Sequence, residues 1–194
     1  MLSVYHAQVV NMQHRMLSLI LSGILAVLSV PLVSAHDGES SGGPTNFQIM
    51  LISIFISVSI YFLITRFLKI QTYLSSPLVF ALASFTGFVH VLLGLNDYLL
   101  LLGGVGVIGI LVLSLFINFS QLQDKIARLG LGMGVSVMFA AYFASNHDIH
   151  YIIEDYLGIT TKLSELAIII LLKKEWNQEK KDLLKGNSSI LYEN

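Results

Sequence analysis

The chain has 194 residues, of which 55% are hydrophobic and 12% charged. Soluble globular domains carry about 25% charged residues, so this composition, with a mean hydropathy of +0.75, reads as an integral membrane protein. The net charge is −1 and no cysteine is present. No basic stripe on a soluble fold, as a nucleic-acid binder would show, is present, and the lack of cysteine excludes disulfides, thiolate metal sites, iron–sulfur clusters and cysteine nucleophiles.

A helix needs about 20 mostly apolar residues to cross the hydrocarbon core of a bilayer. The first such stretch, 16–33, follows Arg15 and runs into "VPLVSAHDGESSGG". A basic residue, an apolar run and small residues at Val33 and Ala35 form a secretory-signal pattern. Residues 1–35 therefore read as a signal peptide cleaved after Ala35 or, if uncut, as a signal anchor. A polar extracytoplasmic segment follows over 36–46. Four spans are then expected, at 47–65, 74–95, 98–123 and 129–146. A fifth, shorter span is expected at about 159–172, around "LAIIILL", with Lys162 and Glu165 near its outer end. The fold class is all-α: a polytopic transmembrane helical bundle over 47–172, with a basic tail over 173–194.

The basic residues orient these spans. Arg66 and Lys69 follow the 47–65 span, and Lys125 and Arg128 precede the one at 129–146. Lys173, Lys174, Lys180, Lys181 and Lys185 follow the last. With all of these and Arg15 on the inner side, Lys162 alone of the eleven Lys and Arg lies outside, which is the positive-inside pattern. The mature N-terminus is thus expected outside the plasma membrane and the C-terminus in the cytoplasm. The tail "KKEWNQEKKDLLKGNSS" reads as a surface helix whose Trp176 and lysines suit anionic headgroups, or as a solvated tail. Gly103, Gly104, Gly106 and Gly109, with Gly130 and Gly134 at small-xxx-small spacing, allow helices to pack closely, within the chain or against other membrane subunits.

Four of the six histidines fall on the outer half: His36, His90, His147 and His150. If Ala35–His36 is cut, the α-amine and imidazole of His36 can close a chelate ring on copper, since such nitrogens suit Cu(II). The stretch "AHDGE" resembles the mature starts of some extracytoplasmic copper proteins. Periplasmic copper-binding domains and the B subunit of particulate methane and ammonia monooxygenases are among them. The resemblance covers these few residues and no family is recognised across the whole chain. In "HDIH", His147 and His150 stand at i,i+3, on one face if helical. His90 lies near the outer end of its span, with Asp97 capping the same helix end. It is either a ligand facing the bundle or a neutral histidine bonded to backbone, Ser84 or Asn96. Haem ligation is less favoured, because no second mid-span histidine exists to pair with it.

No phosphate loop or Ser-His-Asp arrangement is present, and the spans read as lacking the buried ionisable series of pumps. The expected protein is non-enzymatic. It binds a transition metal, copper first and zinc second, through His36, His147 and His150 with His90 and Asp97 nearby. It acts in metal handling or as an accessory subunit of a membrane copper enzyme complex. The alternatives are a purely structural membrane subunit without metal, and a haem, redox or transport protein built on His90.

Overall fold

A computed structural model describes residues 44–66, 74–117, 119–145 and 154–191, and all regular structure among them is helical. The proposed signal segment 1–35 lies outside the described residues, as do His36, His147 and His150. Five α-helices follow one another: α1 (Asn46–Arg66), α2 (Pro77–Leu93), α3 (Tyr98–Phe116), α4 (Gln121–Ser145) and α5 (Tyr156–Leu191).

Local chemistry sets the helix starts. Ahead of α1, Gln48 Oε1 accepts from Thr45 N at 2.9 Å while Thr45 Oγ1 accepts from Gln48 N at 3.3 Å. Ser120 and Gln123 repeat the exchange at the start of α4, at 2.8 and 3.4 Å. Both are capping boxes, which satisfy two otherwise unpaired N–H groups reciprocally. Pro77 opens α2, where its missing N–H costs nothing. Asp97 caps α3, accepting from Leu99 N at 2.9 Å and Leu100 N at 3.5 Å. It was expected to close the His90 helix, but its side chain faces the amides that follow it, so it serves the next helix. A single 3-10 turn, Gly94–Asn96, joins α2 to α3.

Helices α1, α3 and α4 are long and apolar enough to cross a membrane. Helix α2, at 17 residues, rises only about 25 Å. It is also the best enclosed: from Val79 to His90 only Leu82 is not fully buried. Helices α1, α3 and α5 pack around it, and α4 closes on α3 and α5. The outer helices turn large apolar side chains outward, including Phe55, Phe62, Leu102 and Val137. Soluble monomers rarely expose contiguous apolar surface on this scale. The main core joins Ile64, Val79, Phe80, Ala83, Val107, Leu111, Leu131, Val135 and Ile168. A smaller cluster of Ile49, Phe85, Val89 and Leu157 lies at the opposite end of the bundle.

Glycine positions divide sharply. A Cβ on Gly104 would stand 2.6 Å from Val91 N and 2.7 Å from Gly87 O, so α3 crosses α2 in backbone contact. Around Gly106, Gly109 and Gly134 there is open space.

Two boundaries differ from expectation. Helix α3 stops at Phe116, and the Ser120–Gln123 box starts α4 early, which draws Lys125 and Arg128 into the helix. The short last span and the separate tail are one 36-residue helix. Its sequence between Gly158 and Gly186 holds neither Pro nor Gly, the residues that end helices. Two carboxylates fasten it. Glu175 Oε2 accepts from Ser75 Oγ at 2.6 Å and Oε1 from Ser76 N at 3.1 Å. Glu179 faces Arg128 at 3.3 Å and Lys125 at 3.8 Å. The Ser76 side chain makes no cap bond of its own, so Glu175 caps α2 from another helix. Glu175→Ala is expected to cost about 1–2 kcal/mol, as loss of a cap does. Glu179→Ala, losing only partly exposed pairs, should cost under about 1 kcal/mol. Thermal unfolding in detergent micelles compares the two.

Candidate functional site

Where α2 and α4 end and α5 begins, three helices bury a polar network. On α5, Lys162 and Glu165 stand at i,i+3 and share a face. Glu165 falls on the buried stripe Leu157, Thr161, Glu165, Ile168, the i, i+4, i+8, i+11 spacing of a core-facing surface, and Lys162, also buried, lies at its edge. On α2, Thr86 and His90 stand at i,i+4 and face them. The side chains of Lys162, His90 and Glu165 are 7%, 5% and 0% exposed.

Nearly every polar atom here has a partner. Glu165 Oε2 accepts from Lys162 Nζ at 2.7 Å, and Oε1 accepts from Thr86 Oγ1 at 2.9 Å. Lys162 Nζ also donates to the Met138 carbonyl of α4 at 3.0 Å and lies 5.2 Å from the Tyr142 ring centroid, a cation–π distance. Tyr142 OH donates to Asp155 Oδ2 at 3.0 Å. Asp155 Oδ1 accepts from Gly158 N at 2.8 Å, which caps α5. A polar path thus leads from half-buried Asp155 and Tyr142 to fully buried Glu165.

His90 is held differently. Its Nδ1 lies 2.8 Å from the Thr86 carbonyl oxygen. A carbonyl can only accept, so the bond assigns the hydrogen to Nδ1. Nε2 then faces Glu165 Oε1 at 3.6 Å, which is an ion-pair distance and not a hydrogen bond. With Nε2 bare, two sets of lone pairs oppose each other. With Nε2 protonated, the imidazolium meets a carboxylate. The geometry therefore has a defined place for one added proton.

Along α5 and α2 towards Glu175 and Ser75, the interior turns apolar. Val79, Phe80, Ala83, Leu131, Val135 and Ile168 are all buried to 1% exposure or less. Glu165 and Glu175 are separated by about 15 Å of helix. The polar network meets one end of the bundle, and mostly apolar side chains separate it from the other.

The structure brings His90 into this site but not Asp97, which is exposed and committed to the α3 cap. Neither nitrogen of His90 is turned to open space, and a metal cation at Nε2 would face the Lys162 ammonium across Glu165. Among the described residues no group of three or more His, Asp and Glu could hold a metal ion. Glu165 and Lys162 correct the expectation that the spans lack buried ionisable groups. Treated as the charged end of a short span, they gave no sign of burial. The signal was the place of Glu165 on the stripe that Leu157 and Ile168 complete, with Lys162 one turn before it. Searches against protein-family models, curated proteins and solved structures return no match to this chain.

Proposed function

We propose that the chain is a non-enzymatic polytopic membrane protein that takes up a proton from its extracytoplasmic side, at His90 and Glu165, as part of a transport role. On this reading all five helices cross, in the sense given by the basic residues, and the Asp155 end faces outward. One observation carries it. A fully buried carboxylate already neutralised by Lys162 is met by a second cation-capable group, His90. An ion pair kept for structure is complete with Lys162 and Glu165. Beyond its bond to Thr86, the imidazole adds the capacity to hold or release a proton. Ionisable groups within spans are costly and mark ion and proton pathways.

The test is nitrogen NMR of the full chain with labelled histidine in lipid nanodiscs. The His90 signal, identified by its loss in His90→Gln, is expected to change protonation between about pH 5 and 8. Its midpoint should move in Glu165→Gln. A His90 ring fixed in one state across that range, or a midpoint indifferent to Glu165, refutes the reading. For transport, proteoliposomes holding a pH-sensitive dye should acidify faster after an acid pulse with the native chain than with Glu165→Gln.

Metal handling is the second reading. The Tyr142–Asp155 bond ties the end of α4 to the start of α5. His147 and His150 fall between these two helix ends in the sequence and lie outside the described residues. With His36 they would bind copper, or zinc, for transfer or for a larger membrane complex. Copper stoichiometry unchanged by His147→Ala with His150→Ala rules it out.

A further inference from the structure

Past Leu172, α5 sorts its charges by face. Glu175 and Glu179 are turned to the bundle, onto Ser75, Ser76, Lys125 and Arg128. Lys173, Lys174, Lys180 and Lys181 are exposed, as are Trp176 and Leu184. At 3.6 residues per turn these six fall within an arc of about 160°, while Glu175, Glu179 and Asp182 fall in the remaining sector. The acids are consumed by the protein's own donors, and Asp182 by Gln178 Nε2 at 3.2 Å. The outward face is left strongly positive, with one indole and one leucine set among the lysines.

The height of this face is fixed by its contacts. Glu179 is level with Lys125 and Arg128 on α4, and Leu122 and Ile126 on the same turns are 68% and 60% exposed. The lysine face therefore runs level with the last turns of apolar outer surface, with Lys180 and Lys181 beside Leu122 and Ile126 in height. From Lys173 to Lys181 it rises about 12 Å. The headgroup layer is roughly 6 Å thick, and the last lysines lie within a Debye length of it. Long lysine stems can rest on apolar surface while their ammonium groups reach phosphates, and tryptophan favours that interface.

We infer that the lysine face of α5, from Lys173 to Leu184, is a binding surface for anionic phospholipid headgroups. Charge complementarity and position select a lipid over an acidic protein. Trp176, the single tryptophan of the chain, reports on it directly. The full chain is reconstituted in phosphatidylcholine nanodiscs carrying equal mole fractions of either brominated phosphatidylglycerol or brominated phosphatidylcholine. Quenching of Trp176 is expected to be about two- to threefold greater with the anionic lipid. The preference should vanish when Lys173, Lys174, Lys180 and Lys181 are all changed to Gln, and persist when all are changed to Arg. Equal quenching in the native chain, or a preference surviving the Gln changes, overturns the proposal. Native protein in 1 M salt gives a further check, because screening should abolish the preference there and its persistence counts equally against the proposal.

Discussion

Glu165→Leu is expected to destabilise the bundle by about 3–5 kcal/mol, and Lys162→Met by a similar amount. The double variant should recover most of that loss. Each single change strands a charge: without Glu165, the Lys162 ammonium is left, among the described residues, with the Met138 carbonyl and the Tyr142 ring. Without Lys162, the Glu165 carboxylate keeps only the Thr86 hydroxyl and His90. Removing both leaves two apolar side chains and no stranded charge, and such replacements of buried pairs are often neutral or stabilising. The coupling is read from a double-mutant cycle of unfolding free energies in detergent micelles. Additive losses would mean that the two groups do not depend on each other. His90→Gln should cost less, about 1 kcal/mol, because the pair remains whole. A modest stability effect with a lost proton response would separate the role of His90 from that of the pair.

Gly104→Ala is expected to cost about 1–3 kcal/mol, although alanine is the better helix former by about 1 kcal/mol. The new methyl group would press on Val91 N and Gly87 O, backbone atoms that cannot turn aside as a side chain can. Helix α3 must then back away from α2 along its length. Gly103→Ala should be milder, since its Cβ would meet the flexible Met138 side chain at 2.7 Å. Gly106→Ala and Gly109→Ala meet open space and should be neutral to slightly stabilising. Thermal melting of the four variants in micelles orders them. A Gly106 variant as damaging as the Gly104 one would show that a partner helix, and not the chain itself, fills that face.

Hydropathy was a good guide to the helices that meet their surroundings. Helices α1, α3 and α4 were each expected, because each presents a long apolar surface outward, although the α3–α4 boundary falls earlier than expected. It guided less well inside. Helix α2 is shorter than a span is expected to be, because a helix enclosed by α1, α3 and α5 need not match the lipid thickness. The end of α5 was misjudged for the converse reason. Summed hydropathy falls at Lys173, yet nothing in the backbone breaks there, and Glu175 finds donors just ahead of α2 that lie 99 and 100 residues away in sequence. His90 was legible as a histidine inside a span. Its partner was not, because Glu165 is polar by composition and core by position. Of the proposed metal ligands, only His90 and Asp97 fall among the described residues, and they serve different helices.

The continuity of α5 has a mechanical meaning. A helix without proline, glycine or a bulge between two points has no hinge there, so it moves as a rod. Glu165 and Glu179 lie on that rod about 21 Å apart. A rotation or axial slip that accompanies a change of charge beside Glu165 cannot be taken up locally. It would arrive undiminished at the grips on α2 and α4, and at the lysines beyond them. The proposed proton site and the proposed lipid-binding face are two ends of one shaft.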